Sequence, residues 1–419
     1  MRKRKTAELD DAALLDLVQR QTLRYFWDFA HPACGLARER SNVTAKYGLE
    51  AVTTGGSGFG VMAIIAGVSR GWIARADAVE RIATMVRFLL KADSYHGIWP
   101  HFLNGDTGRT IPFSRKDDGS DLVETSFLIA GLLCARQYFD ATDETEARLR
   151  AAIDWLWQEA EWSWHTQGGR NVLYWHWSPN NGWSMNHEIR GWNECLITYV
   201  LAASAPRYGI SPEVYHRGWA DGRDFTNGRS YDGIALPLGP DAGGPLFLSQ
   251  YSFLGLDPRG LADRYADYWQ QNVAHTQVNR AHCVRNPKGF KGYGPDCWGL
   301  SASDSVEGYD AHSPTNDLGV ITPTAALSAF PYTPEASMRA LRHFYHDLGD
   351  RIWGDMGFAD AFSESADWVA GSHLAIDQGP IVVMIENARS GLIWRLFMSC
   401  PEIRYGLRRL GFGSPGLTV

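Results

Sequence analysis

The chain lacks several features that would point to a simple function. Its six cysteines form no CxxC pair and no Cys/His spacing of a zinc site. Cys134 and Cys195 fall inside apolar helical patterns, where small buried hydrophobes are expected. No apolar run approaches the ~18 residues of a membrane span. The charged start, Met1-Arg2-Lys3-Arg4-Lys5, looks like the head of a signal peptide, but the apolar stretch that should follow is missing, since Thr6 to Asp11 is polar. The expectation is a cytoplasmic protein, or a periplasmic one shown after an export signal has been removed. Excess positive charge is also lacking. With 40 Lys+Arg against 47 Asp+Glu the net charge is −7, which argues against nucleic-acid and anionic-membrane partners. Thr53-Thr54-Gly55-Gly56-Ser57-Gly58 has no P-loop lysine, so phosphate binding is not expected. His96 and His101 flank Trp99 off a helix, a poor metal signature, and neither a metal nor a cofactor is expected. No Pro/Ser-rich linker divides the chain, so one domain over residues 1–419 is expected. Oligomeric state is not readable from the sequence.

Aromatic residues are abundant. There are 17 Trp, 17 Tyr and 18 Phe, enough either for a very large aromatic core or for a cleft lined with flat apolar faces. Most of the Trp are expected in the core. The exception is the group Trp162, Trp164, Trp175, Trp177 and Trp183, which falls in a long connection.

Helical periodicity dominates and strand signals are few. About twelve helices are expected, near 10–30, 53–70, 75–92, 121–139, 144–160, 186–205, 212–220, 245–254, 260–281, 322–329, 334–348 and 378–399. Asn171 to Trp177 is a β-like aromatic run, and Ile381 to Ile385 is β-branched inside a helical pattern. The connections alternate in length. Those entering the even-numbered helices are long and those entering the odd-numbered ones are short. Antiparallel helices put alternate connections at opposite ends, so every long loop falls on one end. The expected fold is therefore all-α, an (α/α)6 barrel or toroid, with the even helices inside and their N-termini facing the long loops.

Carboxylates at that end are the candidates for chemistry. Asp117, Asp121 and Glu124 surround the start of the fourth helix. Asp121 and Glu124 share a face. Their bland reading is a capping arrangement. Their functional reading is a general base, because a helix N-terminus favours the charged carboxylate. Glu194 stands among Trp192, Cys195, Leu196 and Ile197. If buried there, its pKa rises, which suits a general acid. The alternative is an i,i+4 ion pair with Arg190, which could equally serve Glu188. Further candidates for binding substrate are Trp177, Trp183, Glu188, Arg190, Asp304, Tyr309, Asp377, Gln378 and Glu386, all in or beside the expected long-loop face. Trp and Tyr faces with a polar rim of Asp, Gln, Arg and Glu form a site suited to sugar rings.

DLVETSFLIAGLL, GWNECLITYVLA, WGLSASD, GYDAHSP and AIDQGPIVVMIENARSGLIW, with TTGGSGFG upstream, resemble the glucoamylase-like family that contains the bacterial β-1,2-glucanases, glycoside hydrolase family 144. The resemblance spans nearly the whole chain. It implies an (α/α)6 barrel, cleavage of β-1,2-linked glucan or its oligosaccharides in endo or sophorose-releasing fashion, and no cofactor. It also implicates the positions of Asp117, Asp121, Glu124 and Glu194, with Glu194 as general acid. On this reading Asp121, with Asp117 or Glu124 as rivals, activates water or orients a relay. Related transglycosylases retain the anomeric centre, whereas the hydrolases resembled invert it. Glu194 is expected two turns into the helix over 186–205, so a separation beyond the ~5–5.5 Å of retaining pairs is expected, and inversion with it. The rival classes are a transglycosylase on the same fold, a polysaccharide lyase on a related toroid, and a non-catalytic glycan-binding protein. The acidic, aromatic composition of the face disfavours the lyase, which wants a basic cleft.

Overall fold

The computed structural model describes residues 9–417, so the charged start lies outside the described residues. The helices are α1 Asp11–Trp27, α2 Thr54–Ser69, α3 Arg75–Leu89, α4 Leu122–Tyr138, α5 Glu144–Glu159, α6 Leu196–Ser204, α7 Pro212–Val214, α8 Tyr268–Arg285, α9 Pro323–Leu327, α10 Pro334–Arg342, α11 Gly349–Ile352, α12 Ala375–Ser390, α13 Leu392–Ser399 and α14 Pro401–Arg409. Short antiparallel strand pairs decorate the connections, among them β4 Ser120–Asp121 with β5 His176–Trp177 and β8 Ala302–Ser305 with β9 Gly308–Ala311.

Six segments close an inner ring: α2, α4, α6, the two 3-10 turns over Leu246–Leu254, α9 and α12. Side-chain hydrogen bonds link most neighbours. Ser126 of α4 meets Thr198 of α6 at 2.8 Å. Ser252 accepts from the Ile197 amide at 3.0 Å. Gln250 donates to the Ala325 carbonyl at 2.9 Å, and Thr324 to the Asp377 carbonyl at 2.8 Å. The inner helices are apolar on nearly every face, and all nine residues of α6 are buried. The outer helices carry one apolar stripe. In α3 it is Ala78, Val79, Ile82, Met85, Val86 and Leu89, the spacing of a helix covered on one side. The architecture is the all-α toroid expected from the loop alternation. The starts of α2, α4 and α12 meet at one end. The α13 and α14 helices pack on α2, α4 and α6 toward the other. No helix among the described residues is long and apolar enough to cross a membrane.

Several expected helices are shorter or broken. The helix placed over 186–205 begins only at Leu196. Residues before it fold back as an extended strip: the Trp175 amide bonds the His187 carbonyl at 2.9 Å, and the Ile189 amide the Leu173 carbonyl at 2.8 Å. Asn186 and Gly191 take positive φ, which no helix accommodates. The helix over 245–254 is two 3-10 turns broken at Gln250. That over 260–281 starts later, where Asp267 caps α8 by accepting the Gln270 amide. The α7 and α10 helices pass into π turns over Tyr215–Trp219 and His343–Asp347. The last expected helix splits into α12 and α13 at Gly391, whose φ of 66° is left-handed.

The closest backbone approach in the ring is between α2 and α4. A Cβ on Gly131 would lie 2.2 Å from the Gly58 carbonyl oxygen, and one on Gly58 would lie 2.1 Å from that of Phe127. Neither neighbour is a flexible side chain that could turn away. Gly131→Ala should therefore force the helices apart and destabilise the fold by at least about 1–3 kcal/mol, despite Ala's better helix propensity. Chemical denaturation checks this; an unchanged midpoint would mean that the crossing is loose.

Candidate active site

The site is built where β4 runs into α4. Asp121 is the N-cap of α4 and is fully buried. Its Oδ1 accepts the Val123 amide at 3.0 Å, the Glu124 amide at 2.9 Å and the Trp175 indole N–H at 3.0 Å. Its Oδ2 faces His101 Nδ1 at 3.1 Å. The β4–β5 pairing sets Asp121 opposite His176, bringing in a segment more than 50 residues away. Glu124, one turn on, accepts the Gly55 amide at 2.8 Å and the Thr53 hydroxyl at 3.3 Å, both at the start of α2. Its other oxygen lies 3.9 Å from His101 Nε2. Asp117 is held by a tight turn with Ser114, and its nearest polar partner is His176 Nε2 at 3.3 Å.

The charges sort themselves around His101. Burial alone would lower its pKa, but Glu124, Asp121 and Asp117 together outweigh that and raise it to about 9, so it carries a proton at neutral pH. Burial would raise Asp121. The hydrogen bond and charge of His101, with the Glu124 amide, reverse this and keep the group ionised. Glu124 is raised by burial and by Asp121, against His101 and the Gly55 amide. Asp117 is pushed up to about 7 by burial and by Asp121, with His101 opposing. Burial brings His176 down to about 4, so it stays neutral. The ligand-capable atoms of His101, Asp117 and Asp121 lie within 4.8 Å of one another. The trio could hold a cation if His101 gave up its proton; as arranged, the imidazolium supplies the positive charge.

Glu194 stands in the loop immediately before α6, not two turns inside a helix as expected from the periodicity. The Asn193 side chain accepts the Cys195 amide at 3.0 Å, and Ser252 donates to the Glu194 carbonyl, which together fix the turn. The carboxyl is half-buried. Burial raises its pKa to about 7, with Glu124 and Asp121 adding to the rise against its own backbone amide. Arg190 does not pair with it. Arg190 binds Glu188 and the Arg217 and Gly218 carbonyls, while Glu188 also accepts the Tyr174 hydroxyl at 2.8 Å. Glu188 and Arg190 thus engage each other away from the acid cluster.

A second acidic group lines the facing wall. Arg40 lies 3.1 Å from Asp304 and 2.9 Å from Glu39. Asp360 accepts the Asp304 amide at 2.7 Å. The Asp360 and Asp377 carboxyls stand close enough for one proton to link them. Burial first, and then mutual repulsion, drives Asp377 far above the carboxylate range, while Asp360 rises to about 7. The pair shares a proton. Tyr251 donates to Asp377 at 3.4 Å and feels the charge of Glu194, so it stands between the two acidic groups. Tyr309 is 54% exposed, yet desolvation dominates its phenol, as for a side chain projecting across a concave cleft.

Aromatic rings form the rim. Trp177 lies 6.0 Å from Trp164 and 6.2 Å from Tyr95, and Trp183 lies 6.1 Å from Trp164. Trp175 stacks on His187 at 5.0 Å while its N–H holds Asp121. Trp162, grouped with these by sequence, is instead fully buried against Trp157. Gln378 points away from the cleft and donates to the Phe358 carbonyl at 3.0 Å. The structure does not bring Glu386 to the cleft. It lies more than two turns along α12, ion-paired to Arg70 at 2.8 Å. Sequence reasoning missed His101, His176, Tyr251, Asp360, Glu39 and Arg40. None has a local spacing signal, and only the proximity of His101 to Trp99 drew attention to any of them.

Residues 186–401 match the glycoamylase family, described as "putative glucoamylase". An exo β-1,2-glucooligosaccharide sophorohydrolase (non-reducing end) from Parabacteroides distasonis is 46% identical over 97% of this chain, which spans 58% of that relative's length. A "putative glucoamylase" structure from Bacteroides uniformis is 61% identical, with a TM-score of 0.96 over 98% of this chain and 100% of that one. An endo-β-1,2-glucanase from Chitinophaga pinensis, solved with sophorotriose and glucose, is 55% identical with a TM-score of 0.95, again over 98% and 100% of the two chains.

The elevated His101 pKa makes a stability prediction. A group whose pKa is higher folded than unfolded stabilises the fold fully below its unfolded value, ~6.5, and loses that contribution as pH rises through the folded value, about 9. His101→Gln should therefore cost most stability at pH 6 and distinctly less at pH 9.5, read from denaturant midpoints. A deficit independent of pH would mean that His101 is neutral in the fold.

Proposed function

The chain belongs to the glycoamylase family, and from that premise and its cleft we propose that it is a glycoside hydrolase acting on β-1,2-linked glucan or its oligosaccharides, without a cofactor. The observation that carries the reading is Glu194, a half-buried carboxyl raised to about 7, in the electrostatic field of Asp121, which His101 holds ionised. The names of the relatives above, a sophorohydrolase and an endo-β-1,2-glucanase, support the substrate class. The cleft draws residues from Glu39 to Asp377, so the whole described ring forms the catalytic unit.

Glu194 protonates the leaving glycosidic oxygen. Asp121 is committed: its two oxygens already take three N–H donors and His101. It serves as the fixed negative charge beside the sugar and as the anchor of the cluster. Asp117 takes no side-chain hydrogen bond among the described residues, and a carboxylate of pKa about 7 is a strong base for its class. Asp117 therefore activates the water, directly or through a substrate hydroxyl. Trp177 and Trp183 offer apolar faces to sugar rings at the rim. Glu194 and Asp117 stand on separate segments, the loop before α6 and the turn before β4, and a water held between such an acid and base gives inversion.

Glu194→Gln should cut hydrolysis by about 100- to 10,000-fold with the fold intact. Near-normal turnover in that variant would remove Glu194 from the mechanism. Activity should rise as Asp117 ionises and fall as Glu194 ionises, giving a narrow bell centred close to pH 7. A basic limb far above pH 8 would exclude Glu194 as the acid.

Assays on β-1,2-, β-1,3-, β-1,4- and α-1,4-glucans, with proton NMR of the first product, test the rest. Release from the β-1,2 polymer or oligosaccharides as the α-anomer is expected. A β-anomer released first would mean retention and make the Asp117 position a nucleophile. Products longer than the substrate would mean transglycosylation.

A further inference from the structure

Away from the cleft, three residues from distant segments converge in the second hydrophobic cluster of the fold. Cys297 lies in the connection between α8 and β8 and is 3% exposed. His343 stands where α10 widens into its π turn. Glu364 follows the short strand Phe362–Ser363. One ligand-capable atom from each lies within 4.8 Å of the other two. We propose that Cys297, His343 and Glu364 form a zinc-binding site.

Three features of the geometry support this. First, the His343 ring is oriented as a ligand. Its Nδ1 bonds the Asp347 carboxylate at 2.9 Å, which fixes the proton on Nδ1 and leaves the Nε2 lone pair free. That Nε2 is buried and has no hydrogen-bond partner. A buried nitrogen without a partner is costly unless something fills its lone pair. Second, the Glu364 carboxylate takes no hydrogen bond or ion pair among the described residues, although it sits beside the Cys297 thiol and raises its pKa. A carboxylate packed against a buried thiol is repulsive once the thiol ionises, unless a cation lies between them. Third, the donor set of thiolate, imidazole and carboxylate is borderline-soft, which selects zinc over calcium or magnesium. Around tetrahedral zinc, ligand atoms at ~2.0–2.3 Å from the metal stand roughly 3.3–3.8 Å apart, so the set closes with side-chain shifts of about 1 Å or less.

Binding replaces the Cys297 S–H bond with an S–Zn bond and releases that proton to solvent, leaving a fourth position for water. The ion would tie three stretches together: the 286–297 loop, the end of α10 and the hairpin through Phe362 and Val369. His343 adjoins Phe344 and Glu364 follows Phe362 by two residues, and both phenylalanines pack in that same cluster. The local sequence pattern hides the site, because the ligands are tens of residues apart.

The test uses the full chain after chelator treatment and dialysis. Calorimetric titration with zinc chloride should show one equivalent bound. Loading with cobalt(II) instead should give the near-ultraviolet sulfur-to-cobalt charge-transfer band of thiolate ligation. Cys297→Ser should abolish that band and remove the rise in melting temperature that zinc produces. Asp347 is 68% exposed, so Asp347→Asn should fold normally, and it should weaken zinc binding by about 10- to 100-fold through the loss of ring orientation. The absence of zinc binding overturns the proposal. So does cobalt bound without the charge-transfer band, which would place the metal at the His101, Asp117 and Asp121 cluster, and so does an Asp347→Asn protein with unaltered affinity.

Discussion

The buried Asp121 carboxylate is the constraint on which the active end depends. A lone charge in that position would be expelled or neutralised, so the fold surrounds it with donors from three places. The first turn of α4 contributes two amides. The strip carrying β5 contributes the Trp175 indole. The connection after α3 contributes His101. Each donor fixes the position of something else. The amides start α4, the indole lays an aromatic face along the cleft, and His101 passes its charge on to Glu124. Glu124 in turn holds the start of α2 through the Gly55 amide. One ionised group thus sets the register between two inner helices and a long loop.

The same logic, run in the opposite direction, explains the facing wall. Among the described residues no histidine bonds Asp360 or Asp377, and Arg40, whose charge reaches Asp360, is shared by Glu39 and Asp304. With too little positive charge, the pair holds a proton instead. The cleft therefore has one wall where an imidazolium keeps Asp121 ionised and another kept partly neutral by crowding. Glu194 and Tyr251 stand between them, on segments fixed by Ser252. A proton donor at that junction feels both burial and like charge, and each moves its pKa in the same direction.

The aromatic residues divide along the same boundary. Trp157, Trp162, Trp219, Trp298 and Trp394 are fully buried and fill the space between helix layers. Trp164, Trp175, Trp177 and Trp183 sit on the same 161–190 connection as Trp162, where the strand His176–Trp177 pairs with the segment leading into α4. Their partial exposure follows from that pairing. A strip hydrogen-bonded along one edge to the active end has its other face toward the cleft.

The ring was already legible in the local pattern of the chain. Burial on one side leaves a helical period and burial on all sides a long apolar run, and the alternation of long and short connections then places the inner helix starts at one end. The local pattern also marked Asp117, Asp121, Glu124 and Glu194, because carboxylates at or before apolar helices stand out locally. Only the tertiary structure decided which partners those groups have. The expected helix through Glu194 gave way to an extended strip because 173–177 could pair with 187–189, a choice made by two segments together. Glu386 has the same local credentials as Asp377, yet the rise of α12 carries it to Arg70. His101, Asp360 and the convergence of Cys297, His343 and Glu364 had no local signature at all. Periodicity records which way a residue faces, whereas charge compensation depends on which distant residue it meets. That is settled by strand register and loop path, which one-dimensional spacing does not contain.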